Sequence, residues 1–128
     1  MSTTKSENFQ KGVALRRELG GDKLVDDAFR DPTDFGYPME ELVTEMAWGA
    51  IWNRPGLDRR SRSILNIGMI AALNRPDALA GHIGIALKNG LTREEIQECL
   101  LQIAVYAGMP AGLASFKVAK QVFANLKD

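Results

Sequence analysis

The chain has 128 residues, enough for one domain whose hydrophobic core needs no disulfide or metal staple. Its 16 basic and 16 acidic residues cancel, which excludes the basic footprint of a nucleic-acid binder and a polybasic membrane-docking block. No apolar run reaches the roughly 20 residues that span a bilayer. The polar N-terminus has no hydrophobic region of a signal peptide, and the single Cys99 allows neither an internal disulfide nor a redox pair, so the expected setting is the cytoplasm.

Helical spacing dominates, and no stretch alternates cleanly for long enough to read as a strand. A first helix is expected over residues 5–19, carrying Phe9, Val13 and Leu19 and ending at Gly20-Gly21. Asp22 is placed to cap a short second helix with Leu24, Val25, Ala28 and Phe29, which breaks at Asp31-Pro32-Thr33-Asp34. A third is expected from about Met39 to Trp52, with Met39, Leu42, Val43 and Met46 on its apolar side. Arg54-Pro55-Gly56-Leu57 turns the chain, and Asp58 caps a fourth helix to about Leu73. Pro76 suits the first position of a fifth, which closes at Asn89-Gly90. Thr92-Arg93-Glu94-Glu95 has capping-box spacing, and Ile96, Cys99, Leu100 and Ile103 follow on one face of a sixth. Gly108-Met109-Pro110 leads into the last helix, with Phe116, Ala119 and Phe123. Seven helices with short connections predict a single all-α domain over residues 1–128.

His82 is the only histidine and so the only side chain whose ordinary pKa lies near neutrality. Its helical neighbours are Ala78, Leu79, Ile85 and Ala86, an apolar stripe, while Gly81 and Gly84 leave space beside it for a ligand or a neighbouring helix. Spacing leaves a structural and a catalytic histidine both open. Glu45 shares an expected helical face with Glu41, Trp48 and Trp52, where desolvation could fit it for proton transfer. The spacing itself favours core tryptophans, with both glutamates paired to arginines. In Asp58-Arg59-Arg60-Ser61-Arg62 three arginines crowd the first turn of a helix, where the macrodipole disfavours cations by about 0.3–1 kcal/mol each. Carboxylates from elsewhere or an anionic ligand should offset that, and arginine forks suit a carboxylate. Arg54 could join them, and at least one of the three is expected in a salt-bridged cluster. Cys99 reads as a buried, inert thiol, and no metal-ligand spacing or phosphate loop is visible.

The run from Met46 to Ser63, with Ala47-Trp48-Gly49, Trp52-Asn53-Arg54-Pro55-Gly56-Leu57 and Asp58-Arg59-Arg60-Ser61-Arg62, resembles the AWGxxWxRPGLDRRxRS block of the carboxymuconolactone decarboxylase family. Ala72-Leu73-Asn74-Arg75, then His82, then Asn89-Gly90-Leu91-Thr92-Arg93-Glu94-Glu95-Ile96 and Val105-Tyr106-Ala107-Gly108-Met109-Pro110-Ala111 follow in the family's order, so the likeness covers residues 8–124. It implies an all-α, AhpD-like subunit that assembles into a homo-oligomeric ring, as a trimer or hexamer. It also implies an enzyme that takes carbon dioxide from a carboxylated lactone, such as γ-carboxymuconolactone, with neither metal nor organic cofactor. On that likeness His82 and Glu45 are the proton-transferring pair. Arg54, Arg59 and Arg62 bind the carboxylate and the dienolate oxygen, and Trp48, Trp52 and Tyr106 line the substrate.

Members acting on that lactone carry more polar residues where this chain has Ala80, Gly84 and Leu113. An unpaired buried carboxylate is costly, so the pocket here is expected to suit a less charged lactone or keto acid. A non-catalytic ring that binds a small ligand is the other alternative. A thiol peroxidase, which the fold also supports, lacks a resolving partner for Cys99.

Overall fold

A computed structural model describes residues 5–126, and among them every regular element is helical. The helices gather into two compact units, Met1–Leu57 and Asp58–Asp128.

In the first unit, α1 spans Glu7–Gly20, α2 Asp22–Ala28 and α3 Tyr37–Val43, and α3 continues directly into a π-helix, Thr44–Ile51. Ser6 caps α1 by accepting the Phe9 N–H at 3.0 Å, and Gly21, at φ 97°, ends it in a conformation that side chains resist. Asp22 does not cap α2: it is that helix's first residue, and its carboxylate accepts from Arg17 at 3.2 Å. Asp31 closes the break by accepting the Thr33 N–H at 2.9 Å.

The main contact of this unit is between α1 and the π-helix, and it is made by backbone. A Cβ added to Gly12 would lie 1.9 Å from the Thr44 carbonyl oxygen, and one added to Gly49 would lie 1.9 Å from that of Asn8. Only glycine allows this approach. Arg16 locks the crossing with bonds of 2.9 Å to both Glu40 and the fully buried Thr44 hydroxyl. Of the side expected to be apolar, Met39, Leu42 and Met46 are exposed and Val43 is half-buried, while Thr44, Trp48, Gly49 and Trp52 are buried.

The second unit contains α4 (Arg59–Ala72), α5 (Pro76–Lys88), α6 (Arg93–Ala107) and α7 (Met109–Asn125). Its punctuation is the punctuation read from sequence. Asp58 accepts the Ser61 N–H at 2.7 Å, Pro76 opens α5, and Thr92 with Glu95 forms the capping box. Ile67, Leu79, Ile83, Ile96 and Leu100 form the centre of one core, with Ala119 from α7 against them. Asn89 donates to the buried Ser63 hydroxyl at 3.0 Å, tying the end of α5 to α4. Gly112 of α7 sits so close to α6 that a Cβ there would meet that of Ala104 at 2.4 Å. Among the described residues, no helix is long and apolar enough to cross a membrane.

Candidate functional site

The eight residues singled out from sequence fall into two sets. Glu45, Trp48, Trp52 and Arg54 belong to the first unit; Arg59, Arg62, His82 and Tyr106 belong to the second.

In the first set, the common face expected for Glu41, Glu45, Trp48 and Trp52 presupposes α-helical winding. The segment is instead bonded i to i+5, as in the 2.9 Å bond from the Trp52 N–H to the Ala47 carbonyl, and each residue turns through a smaller angle. The two indoles stack on each other at 5.1 Å between ring centres, and both are buried. Asn53 closes the π-helix, donating at 3.0 Å to the carbonyls of both Trp48 and Gly49. Glu45 looks elsewhere. Its carboxylate accepts a hydrogen bond from the Ser6 hydroxyl and borders a depression of about 490 Å³ with Lys5, Phe9, Pro38 and Leu42. Glu41 pairs with Lys5, where an arginine partner was expected. Arg54 is exposed on the turn after the π-helix.

In the second set, the three arginines at the start of α4 separate. Arg60 is salt-bridged within this unit. It pairs with Glu95 of α6, whose carboxyl is held below its ordinary value by that guanidinium and then by the Thr92 N–H. The Asp58 carboxylate, itself held low chiefly by the Ser61 N–H it caps, adds negative charge at the same helix end. Asp58 and Glu95 thus offset the cations against the macrodipole. Arg59 is exposed; Arg62 is half-buried, with its Nε shielded from solvent.

His82 lies at the edge of the core on α5, beside Leu79, Ile83 and Ala86. It is half-buried with Nδ1 shielded from solvent, and burial pushes its pKa below the ordinary 6.5. Among the described residues, a Cβ built on Gly81 or Gly84 meets nothing within 4 Å. The glycines therefore leave open space along α5 rather than room for another helix of this unit. Tyr106, exposed on α6, borders an apolar groove of about 550 Å³ between α4 and α6, with Ile64, Leu65, Met69, Cys99 and Gln102; His82 and the arginines do not line it. Burial and then Glu95 push the Cys99 thiol up, away from the thiolate that redox chemistry needs.

Two features were not anticipated from sequence: Ser6 on Glu45, and the π winding that turns the tryptophans from it. Ser6 stands at N-cap spacing ahead of an apolar-periodic run, a signal that could have located it. The π-helix has only Gly49, amid an apolar run, as a mark.

Residues 38–121 match the carboxymuconolactone decarboxylase family. Over 120 residues the chain is 35% identical to the 4-carboxymuconolactone decarboxylase of Acinetobacter baylyi, covering 94% of this chain and 90% of that one. It is 38% identical over 120 residues to a nitrosuccinic acid decarboxylase of Metarhizium robertsii, covering 94% and 84%. With the all-helical fold and the ordered arginine, histidine and capping motifs in place, the chain belongs to the carboxymuconolactone decarboxylase family.

Proposed function

We propose that the protein is a decarboxylase, a carboxy-lyase acting on a small carboxylated substrate, with a carboxylated lactone such as 4-carboxymuconolactone as the first candidate. The acids in the names of the two relatives share one chemistry. In each, the electron pair left by departing carbon dioxide can move into an acceptor, a conjugated lactone carbonyl or a nitro group, and rest on oxygen. The protein then has three tasks: to bind a carboxylate, to stabilise an oxyanion, and to deliver a proton to carbon.

Arg54, Arg59 and Arg62 take the first two tasks. His82 takes the third. The bond to the carboxylate breaks, carbon dioxide leaves, the oxyanion collapses back, and the imidazolium proton goes to carbon; solvent then reprotonates the imidazole. A pKa lowered by burial makes the imidazolium a stronger acid, and a bound anion beside it restores the proton it needs. Glu45 is a second proton-carrying group, as relay or alternative acid. Trp48 and Trp52, buried and stacked, support the π-helix that carries Glu45, and Tyr106 offers an exposed apolar face to a ligand.

The observation that carries the reading is the environment of His82: desolvated, at the core edge, and flanked by glycines that face open space. Carbon dioxide release from 4-carboxymuconolactone and from nitrosuccinate tests it. Replacement of His82 by alanine should slow release by about a hundredfold or more, and an unchanged rate rejects the assigned role.

A second reading follows from Ala80, Gly84 and Leu113: with no charge at these places, a less charged lactone or keto acid fits better, or a ligand that is bound and not turned over. Tight stoichiometric binding without release would favour the latter. A homo-oligomer, trimer or hexamer, is part of the proposal. It is supported by the exposed Ile64, Leu65, Met69, Leu101, Val105 and Tyr106 on α4 and α6. Light scattering that returned a monomer at micromolar concentration would reject it.

A further inference from the structure

At the N-terminal end of α1, two glutamates of the first unit find partners. Lys5 takes Glu41, and Ser6, the next residue, takes Glu45, four positions further along the helical run. The Ser6 hydroxyl has one proton. Its oxygen already accepts the Phe9 N–H at 3.0 Å as the cap of α1. That bond fixes the hydroxyl's orientation and leaves the proton for Oε2 of Glu45. One carboxylate oxygen, Oε2, is thereby engaged, and Glu45 itself lines a depression with Lys5, Phe9, Pro38 and Leu42. Gly12 and Gly49 let the backbone of the π-helix lie close against that of α1, the helix that Ser6 caps.

We propose that Ser6 is a positioning residue for Glu45: its hydroxyl, orientated by its capping bond, holds one carboxylate oxygen so that the other is presented to substrate. The proposal rests on the role of Glu45 in the proton transfer described above. It assigns to Ser6 a function separate from helix capping, and the two functions can be divided by substitution. Glycine is nearly as good an N-cap as serine but has no hydroxyl, whereas threonine keeps both the cap and the donor.

The protein is compared with its Ser6→Gly, Ser6→Thr and Glu45→Gln variants. Carbon dioxide release from 4-carboxymuconolactone gives kcat and KM, and the 13C resonance of the Glu45 carboxyl, assigned by its loss in Glu45→Gln, reports the hydrogen bond without any turnover. Ser6→Gly should unfold close to wild type, shift the carboxyl resonance, and lower kcat about tenfold or more with KM little changed, since misplacing a reacting group costs rate more than binding. Ser6→Thr should restore both. A wild-type kcat in Ser6→Gly beside a slow Glu45→Gln overturns the positioning role and leaves the role of Glu45 standing. An unchanged rate in Glu45→Gln overturns both. A carboxyl resonance that does not move in Ser6→Gly overturns the bond itself, whether or not this acid is the substrate.

Discussion

Replacing Gly81 or Gly84 by alanine separates what α5 needs for folding from what the proposed site needs for turnover. Both glycines lie inside α5, where glycine is about 0.8–1 kcal/mol worse than alanine. A Cβ at either place meets nothing within 4 Å, so no steric cost opposes the gain. Each substitution should therefore stabilise the fold by about 0.8–1 kcal/mol, which for a chain of this length raises Tm by about 3–4 °C. If the space along α5 receives substrate, the added methyl groups occupy it, and kcat/KM should fall by about tenfold or more, the scale of one misplaced methylene in a pocket. Thermal unfolding followed by circular dichroism and carbon dioxide release on the same samples read the two effects. A lower Tm would mean that something packs on this face, a second copy being the first suspect. A higher Tm with unaltered kcat/KM would mean that the space is not used by substrate.

Gly12→Ala should act in the opposite sense. Its Cβ would stand 1.9 Å from a backbone oxygen that cannot rotate away, so an overpacking cost of about 1–3 kcal/mol or more exceeds the helix-propensity gain and Tm falls; a Tm at or above wild type refutes the crossing described for α1 and the π-helix. The lowered pKa of His82 has a kinetic and a thermodynamic signature. The ionisation seen in kcat/KM should lie below 6.5 and that seen in kcat above it, because a bound anion favours the imidazolium; coincident values refute the proton-donor assignment. For folding, the unfolded chain binds this proton more readily than the native one. Stability should thus fall as pH drops from 6.5 toward the lower native value, and this loss should be absent from His82→Ala in urea titrations. Among the arginines, Arg60→Ala should change stability little, given its solvent-exposed bridge to Glu95, and leave KM alone. Arg62→Ala should raise KM, and the reverse pattern would reassign the ligand-facing arginine.

The second unit was more legible in the sequence than the first. Its helix boundaries are written in local chemistry: a capping aspartate at 58, a proline at 76, a reciprocal Thr92–Glu95 pair and a glycine at 108 whose φ of 113° resists side chains. Each needs only a few neighbouring residues to act. The third helix was legible in extent but not in winding, because a π-helix has no residue-type signature of its own and here coincides with a close backbone approach to α1. That is also why Met39, Leu42 and Met46 were misplaced inside. The inward face of the segment is the one that glycine lets approach, not the most apolar one. The candidate site divides the same way. His82 on an apolar stripe beside open glycines was readable from periodicity, and so was the need to offset the arginines of α4. That Arg60 is the one matched to Glu95, and that Glu45 turns to Ser6 rather than to the tryptophans, depends on pairings 35 and 39 positions apart that no local pattern encodes.

The most direct test of the whole account is carbon dioxide release from freshly generated 4-carboxymuconolactone by the wild-type protein, with an uncatalysed blank and the His82→Ala variant alongside. The account predicts rapid release by the wild type and a loss of about a hundredfold or more in a variant that remains folded. Release that persists at the wild-type rate without His82 would contradict it.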